Sequence, residues 1–181
     1  IMRKLIAVCV LVVMAAVVFV GCGSDSAKKA DNTKKIVVGL DDNYPPMGFK
    51  DESNNIVGFD VDLAKEASKR LNREVEFKGI DWSSKEAELK SSRVDILWNG
   101  LDITEKRKEN ILFSDPYMDN RQIIFVPVGS SIKSMEDLKG KIVGTQSAST
   151  AEEFIDNNPE FRDSMKDVKK YSEYTSAFMD L

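Results

Sequence analysis

The chain has 181 residues, of which 42% are hydrophobic and 31% charged, the balance of an ordinary globular protein. Lys and Arg number 26 against 30 Asp and Glu, so the chain lacks the basic character that nucleic-acid binding requires. It contains no histidine, which excludes Ser-His-Asp and Cys-His catalysis and His-ligated metal sites. Cys9 and Cys22 are the only cysteines, which rules out a disulfide framework.

The N-terminus has the order of a signal peptide, residues 1–21. Arg3-Lys4 precedes a continuous apolar run of 16 residues, Leu5 to Val20, and the chain turns polar after Gly21. The run is short for a bilayer span, which needs about 20 residues. Phe19-Val20-Gly21-Cys22 resembles a bacterial lipobox, with Phe19 where leucine is usual. That resemblance implies acylation of Cys22, which becomes the new N-terminus and anchors the protein in lipid. Cleavage removes Arg3 and Lys4, leaving 24 basic against 30 acidic residues, a net charge of −6. Residues 22–35 read as a polar tether.

The body alternates strand and helix patterns. Lys35 to Leu40 is a strand entering the turn Asp41-Asp42-Asn43-Tyr44-Pro45-Pro46. Met47 to Lys50 is a short extended piece closed by Ser53-Asn54-Asn55. Gly58 to Leu71 predicts a helix with Val61, Ala64, Ala67 and Leu71 on one face. Asp60 and Asp62 at its start read as helix-capping acids, and Lys69 and Arg70 suit its end. Glu74 to Lys78 is a strand, with Val75 and Phe77 inward. Ser83-Ser84-Lys85-Glu86 has a capping-box pattern opening a helix to about Lys90. Val94 to Trp98 is a buried strand, and Thr104 opens a short helix. Arg121 to Val128 reads as a strand. Ser134 to Lys139 is a short helix and Lys141 to Thr145 a strand. Ser149 to Glu153 opens a further helix, Val168 to Tyr171 is a strand, and Tyr174 to Leu181 begins a helix. The alternation implies parallel α/β sheets.

Four strand-end loops collect chemistry: Asp41 to Tyr44, Trp82, Asn99 to Arg107, and Ser147 to Thr150. Ligands of open α/β sheets lie beyond the carboxyl ends of the strands. The Arg107 guanidinium suits a carboxylate, and Ser149 and Thr150 stand at a helix N-terminus that favours an anion. Asp102 and the Gly100 carbonyl suit an ammonium. Tyr44 and Trp82 are aromatic walls. Together they describe a pocket for an α-amino acid. Each has a plainer reading: Arg107 as solvated helix surface, Trp82 as core, Tyr44 as a turn brace. No calcium-loop spacing or glycine-rich phosphate loop is present.

Gly58-Phe59-Asp60-Val61-Asp62-Leu63, with Ala67 and Leu71 downstream, resembles the signature of the polar amino-acid solute-binding proteins of ABC importers (solute-binding protein family 3). Ser68 departs from a small apolar position of that signature. Val38-Gly39-Leu40-Asp41, Tyr44-Pro45-Pro46, Val94-Asp95-Ile96, Gly100-Leu101-Asp102-Ile103-Thr104, Arg107, Phe113-Ser114-Asp115-Pro116-Tyr117, Leu138-Lys139-Gly140-Lys141 and Ser149-Thr150 follow in the family's order. The resemblance implies an α/β, periplasmic-binding-protein-like two-lobed clamshell, with lobe 1 at 36–128 and a partial lobe 2 at 129–181.

It further implies that Arg107 and the Thr150 N–H, beside Ser149, take the ligand carboxylate. Gly100 and Asp102 take its ammonium, Tyr44 and Trp82 flank its side chain, and Asp41 lies near the tip. The implied protein is a monomeric, lipid-anchored receptor outside the cell membrane or in the periplasm, without metal, cofactor or catalytic residues. It delivers an amino acid to ABC permease subunits. Family members continue past this point with a strand whose aspartate also holds the ammonium. Losing one partner of a buried charge pair costs about 3–5 kcal/mol. The expectation is therefore weak binding by the chain as it stands, with a dissociation constant above about 10 μM. Two alternatives stand beside this reading: a cyclohexadienyl-dehydratase-like enzyme on the same fold, and a truncated, non-functional fragment.

Overall fold

The computed structural model describes residues 34–181. The signal segment, the lipobox with Cys22 and most of the tether lie outside the described residues. In chain order the elements are β1 (Ile36–Leu40), β2 (Asn43–Tyr44), β3 (Gly48–Lys50), β4 (Ile56–Val57), α1 (Phe59–Arg70), β5 (Val75–Gly79), α2 (Lys85–Lys90), β6 (Ile96–Leu97), α3 (Glu105–Lys108), β7 (Ile142–Gln146), α4 (Thr150–Asn157), α5 (Pro159–Ser164), β8 (Asp167–Tyr171) and α6 (Tyr174–Met179).

Two parallel sheets carry the fold. β1 is the centre of the first, with β5 on one side and β6 on the other. Ile36 lies opposite Val75 and Leu40 opposite Gly79, while Val38 lies opposite Ile96. β7 and β8 form the second, from Ile142 opposite Asp167 to Gln146 opposite Tyr171. The parallel pairing follows from the helices that return the chain between strands. Sequence patterning did not reveal a third sheet, the small antiparallel β2–β3–β4; its strands are two or three residues long, too short to show alternation.

Val38 and Leu40 on β1, Val61 and Ala64 on α1, and Val94 before β6 are buried and form the core of the first sheet. Leu71, predicted on the buried face of α1, is 66% exposed. It is the residue that ends the helix, and the chain turns away at Asn72, where φ is 51°. Ser68 is buried on that face instead. Its hydroxyl donates to the Arg73 carbonyl, which satisfies the polar atom in an otherwise apolar position.

The start of α1 also departs from expectation. Gly58 is the capping residue and no side chain caps the helix. The Phe59 N–H donates to the Pro46 carbonyl (2.9 Å) and that of Asp60 to Met47 (3.0 Å). Main-chain carbonyls therefore take the free amides that an acidic cap would have taken. Gly58 has φ 131°, and a Cβ there would lie 2.5 Å from the Met47 carbonyl oxygen. Asp60, read as a capping acid, is instead buried at 1% exposure and accepts from the Tyr117 hydroxyl (2.7 Å); Asp62 is exposed.

Two further expectations fail. Ser84 precedes α2 without a side-chain cap; Asp81 instead caps the single 3-10 turn Trp82–Ser84 that leads into α2, accepting from the Ser83 N–H (2.8 Å). Arg121 to Val128 forms no strand. No described strand pairs with it, and a strand requires a ladder partner as well as β-prone residues. Ile123, Ile124, Phe125 and Val128 are exposed there, with Phe125 packed edge-on against Phe178 at 4.9 Å. Among the described residues no helix is long and apolar enough to cross a membrane.

Candidate functional site

The carboxyl ends of β1, β5, β6 and β7 meet at one cavity. Its walls include all eight residues singled out in the sequence: Asp41, Tyr44, Trp82, Gly100, Asp102, Arg107, Ser149 and Thr150. Asn99, Asn120, Gln122, Gln146 and Tyr174 complete it. The walls meet closely, and the cavity volume is about 30 Å³, room for a water or two.

Arg107 is 6% exposed, so it is not solvated helix surface. Thr104 caps α3, its Oγ1 accepting from the Arg107 N–H (3.2 Å). The cap starts the helix so that the Arg107 side chain turns inward. Nη1 donates to the Asp102 carbonyl (2.9 Å) and Nη2 to the Ala148 carbonyl (3.3 Å). The guanidinium therefore joins the loop after β6 to the loop after β7.

The α4 N-terminus is built by a reciprocal cap. Ser149 Oγ accepts from the Glu152 N–H (3.1 Å) and donates to the Gln146 carbonyl (2.7 Å). The Glu152 carboxylate in turn accepts from the Ala148 N–H. Burial raises the Glu152 pKa, but its Lys170 partner (2.6 Å) and the Ala148 amide together hold it below the usual carboxylate range. The Ser149 hydroxyl is thus committed to the fold. What the helix start offers to an anion is backbone N–H and the Thr150 hydroxyl.

Asp102 accepts from the Asn120 amide (2.6 Å), from Gln122 (3.4 Å) and from the Thr150 hydroxyl. Gln122 also donates to Thr150 Oγ1 (2.8 Å). Asn120 and Gln122 carried no signal in the sequence, because they lie beside and within the stretch that reads as a strand. Gln146, read as the start of a loop, is instead a buried amide closing β7. It donates to Asp41 Oδ2 (2.6 Å) and to the Ser172 carbonyl (2.8 Å).

Asp41 is buried, and that burial lifts its pKa above the usual carboxylate range. The Asn43 N–H (2.9 Å) and Gln146 oppose the lift, while Glu173 and Asp42 add to it. Asp41 and Trp82 also border a second cavity of about 370 Å³ lined by Asp42, Asn43, Gly79, Ile80, Asp81, Ser172 and Glu173. Four acidic residues line that space, Asp42 among them paired with Lys50 (2.7 Å). Trp82 is buried as well as cavity-lining, so its two readings coexist. Tyr44 stacks at a tilt on Tyr174, with ring centroids 5.9 Å apart.

Below the Gly100 wall, burial raises the pKa of Asp60, while Tyr117, the Gly100 amide and Trp98 favour its ionised form. Even so, Asp60 Oδ2 and Trp98 Nε1 complete no hydrogen bond. Tyr117 is likewise raised, first by burial and then by Asp60.

Parallel strands whose loops converge on a polar cavity, closed by a second small parallel sheet, define a periplasmic-binding-protein-like fold. The chain belongs to the bacterial extracellular solute-binding proteins, family 3, whose model matches residues 36–176. It is 38% identical over 149 residues to the arginine-binding extracellular protein ArtP of Bacillus subtilis (strain 168), covering 82% of this chain and 56% of ArtP. It is similar to the structure of an ABC uptake transporter substrate-binding protein from Streptococcus pneumoniae with bound histidine, at 34% identity and a TM-score of 0.78. That match covers 81% of this chain and 61% of that one. It is also similar to the ancestral amino acid-binding protein AncCDT-1, a precursor of cyclohexadienyl dehydratase, at 35% identity and a TM-score of 0.75. There the coverage is 81% of this chain and 64% of that one. The chain thus spans less than two thirds of the length of these relatives. The family and ArtP are extracellular binding proteins.

Proposed function

We propose that this chain is the amino-acid-binding part of an ABC importer receptor, and that its ligand is an α-amino acid with a cationic side chain. The observation that carries the reading is the set of groups gathered in one cavity: a buried guanidinium, a helix N-terminus and a carboxylate. Arg107 and the Thr150 N–H take the α-carboxylate; Asp102 and the Gly100 carbonyl take the α-ammonium. On ligand entry these groups exchange their mutual hydrogen bonds for bonds to the ligand. Tyr44 and Trp82 flank the side chain. Asp41 receives its cationic end at the border of the four-carboxylate cavity. ArtP, named as arginine-binding, supports this choice.

In this reading residues 36–128 form lobe 1 and 129–181 belong to lobe 2, which move together over the ligand. The protein is a monomer anchored through lipid at Cys22 on the outer face of the cell membrane, and it hands the amino acid to permease subunits. No residue serves as a catalyst. Titration of the chain with a panel of amino acids tests this. L-arginine, L-lysine and L-ornithine should bind more tightly than L-leucine and L-glutamate. Equal or reversed preference contradicts the assignment.

One observation favours a second reading. Asp41 faces the cavity with a raised pKa, as a general acid would, and AncCDT-1 is the precursor of a dehydratase. Turnover of prephenate-like cyclic acids that is lost in Asp41→Asn would support it.

A further inference from the structure

We propose that Lys85 is a positioning residue for the amino-acid site: an ammonium clamp that fixes the Ala148 peptide, and with it the α4 N-terminus, against Arg107. The inference rests on the binding function proposed above for this cavity. Lys85 lies in the Ser83-to-Glu86 pattern that reads as a helix start, where a lysine is expected to point to water. It is instead 3% exposed. It lines neither cavity but stands behind the wall that Trp82 and Arg107 make.

Its contacts have one geometric sense. Nζ donates to the Trp82 carbonyl (3.1 Å) within its own turn and to the Ala148 carbonyl (2.9 Å), 63 residues away. It also lies 4.9 Å from the centre of the Trp82 ring, a cation–π distance. The Ala148 carbonyl thus accepts from two cations at once, Lys85 and Arg107. Glu152 holds the N–H of the same residue. Ala148 has φ 56°, a left-handed conformation that a non-glycine residue adopts at a cost. Bonds on both sides of its peptide hold it there. That conformation turns the chain from Gln146 into the Ser149 cap, so it determines where the Thr150 N–H points. The Trp82 indole is set by the same ammonium. One buried cation therefore places an aromatic wall and the anion-binding helix start together.

The charged groups facing Lys85 come from four directions: Arg107 on α3, Glu86 on its own helix, Glu152 on α4, and Asp81 before α2. Burial first, and Arg107 second, lower its pKa to about 8, against the opposing pull of the three carboxylates. Its charge, and with it the charge-assisted part of the clamp, should be lost as pH rises through that value.

The test is hydrogen–deuterium exchange of the full chain, which needs no ligand, paired with L-arginine titration. In Lys85→Met, peptides covering 146–152 should exchange tenfold or more faster while β1 peptides stay unchanged, and L-arginine affinity should fall about tenfold or more. Lys85→Arg, which keeps a cation, should restore most of both. In the unmutated chain, exchange of 146–152 corrected for intrinsic rate should quicken between pH 7 and pH 9, and this dependence should vanish in Lys85→Met. If Lys85→Met does not fold, the pH series on the unmutated chain decides alone. Unchanged protection of 146–152 in the variant, or a flat pH series, overturns the proposal. Quickened exchange with no amino-acid binding by the unmutated chain would leave the clamp standing and refute the proposed function instead.

Discussion

Removing the Arg107 guanidinium by Arg107→Ala is the sharpest perturbation of the binding site. The guanidinium is buried and donates to two carbonyls, at 2.9 and 3.3 Å. Those carbonyls lie in loops at the cavity, where water can replace the lost donors, so the cost to folding is small, about 1–2 kcal/mol. The cost to binding is larger. A ligand carboxylate left without its buried counter-charge costs about 3–5 kcal/mol, roughly two to three and a half orders of magnitude in affinity. Arg107→Lys keeps the charge but not the planar fork, and should lose about one order. Heteronuclear NMR titration with L-arginine reads these changes even in the millimolar range, and circular dichroism confirms that each variant is folded. An Arg107→Ala variant that folds and binds within about fivefold of the unmutated chain would refute the assignment of the carboxylate to Arg107.

Other substitutions test the remaining parts. Gly58→Ala forces a Cβ against the Met47 carbonyl at φ 131°; it should destabilise by about 2–4 kcal/mol in urea unfolding. Ser149→Ala removes the α4 cap and a buried donor to Gln146, and the unfolding free energy should fall by about 1–2 kcal/mol. Asp41→Asn should weaken L-arginine binding by about tenfold or more while changing L-glutamine binding little, as seen by calorimetry. The folded pKa of Asp41 lies above its unfolded value, so its ionisation costs stability that is absent at low pH and sets in as pH rises past the unfolded value. Asp41→Asn should therefore be the more stable protein at pH 7, with the advantage shrinking as pH falls toward 4. An advantage that instead grows on acidification contradicts the raised pKa.

The legible parts of the sequence are those decided locally. The β1 run Ile36–Leu40, the Thr104 and Ser149 caps and the strand–helix alternation each follow from a few adjacent residues, and they bring the predicted site residues to one end of the strands. What stayed hidden depends on distant partners. Asp60 reads as a helix cap until Tyr117, 57 residues away, draws it inward. Lys85 reads only as part of a helix start until the Ala148 carbonyl, 63 residues away, accepts its ammonium. Residues 121–128 are rich in β-prone side chains from Ile123 to Val126, but Pro127 cannot donate to a ladder and no described strand pairs with them. Gln122 and Asn120 join the cavity only because that extended stretch passes beside Asp102 and Thr150.

Whether the cavity takes an amino acid is tested by an NMR titration of the chain with L-arginine, observing the Arg107 side-chain Nε–H and the Gly100 and Thr150 amides. These signals should shift together and saturate with one dissociation constant, while the β3 and β4 amides stay still. No shift at these groups up to the millimolar range with any amino acid, or saturation confined to residues outside the cavity, would contradict binding there.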